Sequence, residues 1–384
     1  MCAQTYGYFD IGEHAWMLLD RIRVDAFERA IKAVVRPGDV VADIGTGTGV
    51  LAAMAAKAGA RRVYAVDRAP ILEVARALFA ENHVDNIIEV IRDDARKVEF
   101  PEPPNVVVSE MVGNFGIEED MLGMFNTIAA KCTPDVRFIP SGLTLFFVPL
   151  AEVGLKEELE RLSNFSSDLT MHSFVARMAN RPVHHRITAS EILGRDRAPQ
   201  FIPTVGGGTT IDELRCTMEM TRSGTVNAIG TYYHLLLAED ITLTTGPDGP
   251  PTHWTNIKFP VYPPLELKAG DTIEMTLYPK FLPGAGVWSW EIQAGSEKRS
   301  GDSMATLMGN SLDFLGGLRL KRSSPELKKN PFHLTRLAAA LGGDIRDLKA
   351  MAARLKGALP TEFADEKDAH RQLLYLLDAM DALE

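Results

Sequence analysis

The feature that most constrains this 384-residue chain is a glycine-rich segment at residues 40–50. An apolar run there ends at Asp43 and continues directly into Gly45, Gly47 and Gly49. Glycines at the end of a strand let the backbone turn tightly and present amide N–H groups to a ligand at a helix N-terminus. The segment therefore predicts a nucleotide-type pocket built on a strand, a glycine loop and a helix.

A second acid refines this prediction. The pattern predicts a helix over residues 51–58 and a strand over residues 61–66, and Asp67 follows that strand. A carboxylate at this point is placed to hold the two hydroxyls of a ribose. The spacing D-x-G-x-G-x-G from Asp43 differs from the dinucleotide fingerprint and resembles the first motif of S-adenosylmethionine-dependent methyltransferases. We therefore expect S-adenosyl-L-methionine as the cofactor, with a plain glycine turn as the alternative.

Strands and helices alternate over residues 34–141, which predicts a doubly wound parallel sheet of the α/β class. The predicted third strand is followed by Asp94 and Ala95. Asp94 is a candidate acceptor for an adenine amino group, and it is equally well explained as a turn residue. The fourth strand, at residues 105–109, is apolar almost to its end, as expected for a strand that is buried on both faces.

Two glutamates, Glu110 and Glu119, follow the fourth strand at the edge where ligands bind in open α/β sheets. A sulfonium donor is cationic and repels a cationic acceptor, so carboxylates beside it favour such an acceptor. A pair of opposite charges at ~4 Å with an effective dielectric near 20 is worth on the order of 4 kcal/mol before desolvation. Two carboxylates can therefore hold a guanidinium against the donor.

Composition agrees with a cationic substrate. The formal net charge is −10, whereas a protein that binds nucleic acid needs a basic surface. Cys2, Cys132 and Cys216 are scattered without metal-binding spacing, which predicts a reducing compartment and no metal site. No apolar run approaches the length of a membrane span. We therefore expect a cytoplasmic protein that binds neither nucleic acid nor a membrane.

With these features, the chain resembles the protein arginine N-methyltransferase family. The resemblance covers roughly residues 8–293 and is carried by three motifs in the same order. These are the double-glutamate loop with Ser109, Glu110, Gly113, Glu119, Met121 and Leu122, the helix with His14, Met17, Asp20 and Arg23, and the loop of Pro251, Thr252, His253 and Trp254.

The resemblance implies roles for several of these residues. Arg23 would reach the carboxylate of the cofactor, and Asp20 with His253 would relay the proton that leaves the substrate. His253 could equally be structural, tying its loop to Asp20. Met17 and Met121 would line the methyl-receiving end. Trp254 would either wall the substrate channel or pack in the interior.

The chain departs from the family pattern at several positions. Tyr8 and Phe9 are not followed by the second tyrosine of the segment that covers the cofactor. Met111 stands where tryptophan is frequent, and Asn114 where an aromatic residue is common. An altered acceptor pocket would suit free arginine or another small guanidino compound instead of a protein or peptide arginine. A dimeric scaffold without catalysis is a third alternative, which the retained acids and Arg23 do not favour.

The second half of the chain is rich in predicted strands, and the resemblance implies a β-barrel. Residues 152–179 are a charged insertion that the sequence predicts to be helical, with a solvated excursion as the alternative. The resemblance implies that such an insertion is an arm that docks on a second subunit, so a homodimer is expected. The sequence predicts four parts: a helical segment over the cofactor at residues 1–34, the cofactor-binding domain at 35–141, the barrel at 142–300 and a small helical module at 301–384.

Overall fold

The computed structural model describes residues 11–166, 168–198, 201–282, 285–303, 353, 354 and 356. Contacts within the chain divide it into two units, which are described in turn. The first unit comprises Met1–Leu150, His184–Ile211 and Ile229–Lys258. The second comprises Ala151–Val183, Asp212–Ala228 and Phe259–Glu384. The segment with Tyr8 and Phe9 and nearly all of the predicted C-terminal module lie outside the described residues.

The first unit contains a parallel α/β sheet with strand order β3-β2-β1-β4-β5, which confirms the predicted fold class. Every neighbouring pair in this sheet is parallel. Its elements, in chain order, are α1 (Ile11–Leu19), α2 (Arg21–Val34), β1 (Val40–Ile44), α3 (Val50–Lys57), β2 (Arg62–Asp67), α4 (Leu72–Glu81), β3 (Ile88–Arg92), β4 (Val106–Val108), α5 (Met121–Ala129) and β5 (Arg137–Ile139).

The centre of this sheet is apolar on both faces. All residues of β1 and β4 are buried, because helices cover both sides of a doubly wound sheet. The two central strands are also joined at their carboxyl ends, where the hydroxyl of Ser109 donates a hydrogen bond to the Ile44 carbonyl at 2.6 Å. This contact fixes the start of the double-glutamate loop beside the glycine loop.

Apolar residues that recur at three- and four-residue steps predict one continuous amphipathic helix over residues 14–31, and the structure differs from this expectation. The chain forms two helices, α1 and α2, which are separated at Asp20. Asp20 has φ −71° and ψ 84°, and its Oδ1 accepts a hydrogen bond from the N–H of Arg23 at 3.1 Å. A carboxylate that caps a new helix ends the preceding one, and apolar periodicity alone does not reveal such a cap.

Antiparallel sheets follow, as the strand-rich pattern of the second half predicts. A six-stranded sheet has the order β7-β12-β10-β6-β8, with β11 paired to β10, and a four-stranded sheet has the order β15-β14-β13-β9. Closure of these strands into a barrel stays a prediction. The strands are β6 (Gly142–Leu150), β7 (Val183–His184), β8 (Phe201–Pro203), β9 (Leu214–Glu219), β10 (Gly224–Ala238), β11 (Ile241–Thr244), β12 (Ile257–Leu267), β13 (Thr272–Leu282), β14 (Ala285–Ala294) and β15 (Glu297–Asp302).

The second unit contains the four-stranded sheet and the predicted insertion. The insertion is helical, as expected, and forms α6 (Val153–Ser163) and α7 (His172–Met178). We call residues 152–179 the arm. Aromatic packing supports the sheet: the Phe259 ring lies 5.7 Å from that of Trp288 and 5.3 Å from that of Trp290, measured between centroids.

Three of the unit boundaries fall within strands, namely β7, β10 and β12. The units therefore differ from the domains predicted from the sequence, and those predicted domain bounds stay a prediction. Among the described residues, no helix is both long enough and apolar enough to cross a membrane.

Candidate active site

The glycine loop between β1 and α3 presents its backbone at close range. Gly45, Gly47 and Gly49 have φ values of +70°, +52° and +83°, a region that residues with side chains rarely adopt. A Cβ atom at Gly49 would also lie 2.5 Å from the ring of Phe79. The sequence therefore needs glycine at these positions, as a nucleotide-type pocket requires.

Asp43 supports this loop from the interior. Its side chain is fully buried, and its Oδ2 accepts hydrogen bonds from the Thr46 hydroxyl at 2.6 Å and the Ala52 N–H at 2.9 Å. Burial raises the pKa of Asp43 to about 7, although both hydrogen bonds act in the opposite direction. Asp43 thus orders the turn into α3, and its direct contact with a cofactor stays a prediction.

Asp67 lies beside the loop, at the end of β2. Its Oδ2 accepts a hydrogen bond from the Gly47 N–H at 2.9 Å, and its Oδ1 accepts one from the Ala69 N–H at 2.8 Å. The structure therefore brings Asp67 to the glycine loop, as the sequence predicts. Whether it also holds a ribose stays a prediction.

Asp94 and Ala95 form a turn after β3. The Asp94 Oδ1 accepts a hydrogen bond from the Arg96 N–H at 3.0 Å, and the Asp94 carbonyl accepts one from the Lys97 N–H at 2.8 Å. This geometry is that of a turn, which is one of the two alternatives that the sequence leaves open for Asp94. The adenine contact stays a prediction, and both Asp94 and Ala95 are partly exposed.

Glu110 forms an ion pair with the guanidinium of Arg23. The Arg23 Nη1 donates to Glu110 Oε2, and its Nη2 donates to the Met17 carbonyl at 2.8 Å. The side chains of Arg23 and Glu110 are only 9% and 12% exposed. Three residues that the resemblance predicts as site residues thus lie together, and Glu110 holds a guanidinium in this structure.

The electrostatics of Glu110 reflect a concentrated negative charge. Burial raises the pKa of Glu110 to about 7; Arg23 lowers it and the neighbouring charge of Glu119 raises it further. The charge of Glu119 therefore acts on Glu110 as a smaller effect than burial, and that the two acids share one site stays a prediction. Such a site favours a cation, because a cation relieves the repulsion between the acids.

Asp20 and His253 are paired, although 233 positions separate them. The Asp20 Oδ2 lies 2.8 Å from the His253 Nδ1 and accepts a hydrogen bond from the His253 N–H, also at 2.8 Å. Burial would raise the pKa of Asp20, but hydrogen bonds from His253 and Arg23 outweigh it and the pKa is lowered. Burial lowers the pKa of His253, so its imidazole is neutral near pH 7. The pair ties the His253 loop to the start of α2, and its role as a proton relay stays a prediction.

Trp254, Met17 and Met121 occupy different surroundings. The Trp254 indole is buried, and its N–H donates to the Val112 carbonyl at 2.5 Å, which is the packing alternative. Met121 is fully buried at the start of α5, whereas Met17 is partly exposed. That these side chains line the substrate pocket stays a prediction.

The residues present fit S-adenosylmethionine. The Nε of Arg23 is buried and has no hydrogen-bond partner among the described residues. A buried guanidinium N–H without a partner suits a carboxylate, such as the one this cofactor carries. The space beside the Gly45 backbone is open to a ligand, since the nearest atom to a Cβ built there is a Met111 side-chain atom at 3.6 Å.

Sequence reasoning assigned no role to Glu118 or Tyr233, and it identified Asn114 only as a departure from the family pattern. Asn114, Glu118 and Tyr233 all bond to this loop. The Tyr233 hydroxyl donates to the Gly113 carbonyl at 3.2 Å, and Thr255 donates to the Asn114 Oδ1 through its N–H at 2.7 Å. The contacts of Tyr233 and Thr255 join segments 120 and 141 positions apart, so the local pattern does not predict them. Glu118 instead bonds to N–H groups that are only three and four positions away.

Comparisons with known proteins identify the class of this fold. Residues 26–145 match the family model described as ribosomal protein L11 methyltransferase (PrmA). The structure resembles the Trypanosoma brucei PRMT1 enzyme-prozyme heterotetrameric complex with AdoHcy, with a TM-score of 0.69 and 22% identity, over 77% of this chain and 99% of that one. It also resembles Arabidopsis thaliana protein arginine methyltransferase 10, solved in an open conformation, with a TM-score of 0.67 and 22% identity over the same shares. The fold is that of an S-adenosylmethionine-dependent methyltransferase.

The sequence comparisons point to one family within that class. The chain is 27% identical over 321 residues to protein arginine N-methyltransferase PRMT10 of Oryza sativa subsp. japonica, covering 71% of this chain and 81% of the relative. It is 23% identical over 286 residues to the histone-arginine methyltransferase CARMER of Drosophila persimilis, covering 70% of this chain and 54% of the relative. These findings confirm the predicted resemblance to the protein arginine N-methyltransferase family, and with it a methyltransferase that uses S-adenosylmethionine.

Proposed function

We propose that this protein transfers the methyl group of S-adenosylmethionine to a guanidino nitrogen of an arginine in a protein or peptide. The observation that carries this proposal is the ion pair between Glu110 and the Arg23 guanidinium, with the charge of Glu119 acting on the same carboxylate. The site thus already binds the chemical group that the substrate would present. The names of the relatives, which include protein and histone arginine methyltransferases, support the choice of substrate.

The chain's own residues account for the chemistry. S-adenosylmethionine, when bound, supplies an electrophilic methyl group on a cationic sulfur. Arginine is a weak nucleophile because its guanidinium stays protonated and delocalised. Contacts from Glu110 and Glu119 would orient one terminal nitrogen and draw positive charge toward the other nitrogens. Glu119, or Asp20 together with His253, would accept the proton that leaves as the nitrogen is methylated.

The test is a methyl-transfer assay with labelled donor and three acceptors: an arginine-containing peptide, the same peptide with lysine in place of arginine, and free arginine. We expect label in the arginine peptide alone. Glu110→Gln and Glu119→Gln should each lower the rate by about 100-fold or more, as loss of a charged transition-state contact does. Glu99→Gln, at a side chain that is 89% exposed, is the matched control and should keep the wild-type rate.

Each alternative has its own result in this assay. Label in free arginine and not in the peptide would assign a small guanidino substrate. Label in neither acceptor would favour a scaffold without catalysis. If both Glu→Gln variants kept the wild-type rate, the assignment of the two acids would be wrong.

We also infer a homodimer. The arm exposes several large apolar side chains, including Phe165 at 68%, Leu169 at 59% and Phe174 at 47%. Exposed apolar side chains grouped in one short segment mark an interaction surface. A second copy of the chain suits this surface, because the arms of relatives dock on a second subunit.

A cytoplasmic location is the remaining part of the proposal. The sparse and scattered cysteines support this location, because they predict a reducing compartment. The acidic net charge of −10 supports a cationic peptide as the partner in place of nucleic acid.

A further inference from the structure

Glu118 directs its side chain into its own loop. Its Oε1 accepts a hydrogen bond from the Asn114 N–H at 2.6 Å, and its Oε2 accepts one from the Phe115 N–H at 2.5 Å. Each carboxylate oxygen thus serves a different backbone donor, an arrangement that suits the ionised form because a protonated oxygen is a poorer acceptor. These two bonds orient the Glu118 carboxylate toward its own loop.

The turn at residues 113–115 is shaped around this carboxylate. A Cβ atom on Gly113 would overlap the Glu118 carboxyl group, although the φ of Gly113 is not in the left-handed region. Glycine is therefore required at this position for space and not for backbone conformation. Gly113 and Glu118 form one packed unit within the double-glutamate loop.

The opposite side of the same turn is held by a separate segment. The Asn114 Oδ1 accepts hydrogen bonds from the Thr255 N–H at 2.7 Å and from the Thr255 hydroxyl at 3.1 Å. The Trp254 indole donates to the Val112 carbonyl at 2.5 Å. Residues 112–115 are thus bonded from outside by the His253 loop and from inside by Glu118.

Glu119 is the direct chain neighbour of Glu118, and α5 begins two residues later, at Met121. A residue between a fixed neighbour and a helix start has few backbone directions left to it. The charge of Glu119 raises the pKa of Glu118 as well as that of Glu110, so Glu119 interacts electrostatically with both acids. Their arrangement decides whether Glu110 and Glu119 meet the same cation.

We propose that Glu118 is a positioning residue: its carboxylate closes the turn at residues 113–115 and thereby holds Glu119 in the orientation in which Glu119 and Glu110 bind one guanidinium. This inference rests on the proposed function. Glu118 itself touches neither the substrate nor the cofactor. Asn114, which stands where the family commonly has an aromatic residue, completes the turn through Thr255.

The first experiment measures the turn without reference to activity. Hydrogen–deuterium exchange of the amides of Asn114 and Phe115 is compared in the full-length wild type, Glu118→Gln and Glu118→Ala. Glutamine keeps one acceptor oxygen and turns an NH2 group toward the other donor, so we expect roughly tenfold faster exchange of one amide in Glu118→Gln. Both amides should exchange faster in Glu118→Ala. Glu99→Gln, which changes the net charge equally at an exposed side chain, should exchange as the wild type does.

The second experiment separates orientation from binding. For Glu118→Gln we expect kcat with the arginine peptide to fall by roughly 10- to 100-fold, as for a misplaced catalytic group. The dissociation constant for S-adenosylmethionine should change by less than about threefold, because the glycine loop is untouched. Glu118→Ala should lower kcat further, so that glutamine rescues part of the loss.

Gly113→Ala provides an independent variant that keeps the Glu118 charge and displaces only its position. It should reproduce both the faster exchange and the lower kcat of Glu118→Ala. The double variant Gly113→Ala/Glu118→Ala should be no worse than the poorer single variant, since both changes remove the same interaction.

Two results would overturn the proposal. Unchanged amide exchange in Glu118→Ala would show that the carboxylate does not hold the turn. A lower kcat with unchanged exchange would instead make Glu118 a residue that contacts the substrate. A wild type that methylates no guanidine would contradict the proposed function, while the exchange data would still decide whether Glu118 holds the turn.

Discussion

Individual carboxylates in this protein differ in their pKa, and the surroundings of each carboxylate determine this difference. Asp43 is buried and Glu110 and Glu118 are largely removed from water, and this desolvation raises the pKa of each to about 7. Asp20 is also removed from water, yet its hydrogen bonds to His253 and Arg23 lower its pKa. Ionisation of Asp43, Glu110 and Glu118 lowers the stability of the folded state. Such a loss of stability is tolerated where a charge is needed for function.

The raised pKa values predict opposite effects of pH on activity and on stability. Glu110 must be ionised to bind a guanidinium, so kcat/KM should fall by roughly tenfold per pH unit below about pH 7. The folded state binds protons more readily than the unfolded state between the ordinary glutamate pKa of 4.5 and about 7. The free energy of unfolding should therefore rise as the pH falls through this range.

Parallel measurements of kcat/KM and of the thermal unfolding midpoint across this pH range check the prediction. In Glu118→Gln the increase in midpoint toward acidic pH should be smaller than in the wild type, because one of the titrating groups is absent. Activity that stays constant from about pH 6 to pH 8 would show that Glu110 does not titrate in this range in the free enzyme.

At the scale of elements, the site depends on how strands end. β1 leads into a glycine loop, β2 into Asp67 and β4 into Ser109 and the double-glutamate loop. Since parallel strands end at the same edge, three short segments from different parts of the chain meet there. Contacts between strand ends, such as the one from Ser109 to the Ile44 carbonyl, hold the loops in a common place.

Gly49→Ala should damage both the loop and the cofactor site. The variant combines a strained φ with a Cβ that would lie 2.5 Å from the Phe79 ring, so we expect a loss of about 3 kcal/mol in unfolding free energy and weaker S-adenosylmethionine binding. Gly38→Ala has a similar φ of +94° but no atom within 4 Å of its Cβ. It should cost only about 1 kcal/mol and leave binding unchanged. Urea unfolding and calorimetric titration check both variants, and equal losses would mean that Phe79 moves aside.

The arm begins at a pair of buried hydrogen bonds within the second unit. The Asn227 Oδ1 accepts from the Glu152 N–H at 2.6 Å, and its Nδ2 donates to the Glu152 carbonyl at 2.7 Å. Glu152 in turn caps α6 through the Leu155 N–H. Asn227→Ala should lower the unfolding free energy by about 2–3 kcal/mol, because it leaves two buried backbone groups unsatisfied. Asn164→Ala, at an exposed bond at the end of α6, is the control, and a similar loss in both variants would contradict the prediction.

At the scale of the whole molecule, charge and exposed apolar surface indicate its partners. A net charge of −10 attracts cationic peptides from a distance. The apolar side chains of the arm contrast with this acidic surface. The proposed cationic substrate and the proposed second copy of the chain therefore rest on different features, net charge for the first and apolar side chains for the second.

Replacing both Phe165 and Phe174 by serine should weaken the proposed dimer. The wild type should have twice the 42.2 kDa mass of one chain in light scattering coupled to size-exclusion chromatography. The double variant should shift toward one chain at micromolar concentration, because the interface loses apolar area. Phe201→Ser, at a side chain outside the arm that is 51% exposed, should keep the wild-type mass. A wild type that runs as a monomer would contradict the inferred dimer.

Much of this protein follows from local sequence. The parallel sheet, the glycine loop and the positions of Asp67 and Glu110 near strand ends could be predicted, because apolar runs, glycines and acids act within a few residues of one another. The pairing of Asp20 with His253 was predicted only as an implication of the family resemblance. Short-range patterns carry no information on partners that far apart.

Other features were decided by the tertiary structure alone. The break between α1 and α2 lies at Asp20, whose Oδ1 caps α2 and whose Oδ2 pairs with His253. Helical periodicity contains no information on a partner 233 positions away. The inward orientation of Glu118 depends on space left by Gly113, and the contacts of Asn114 depend on Thr255 from a distant loop. Sequence determines which residues are near strand ends, whereas packing decides which way each side chain faces, since that choice depends on atoms that the rest of the chain supplies.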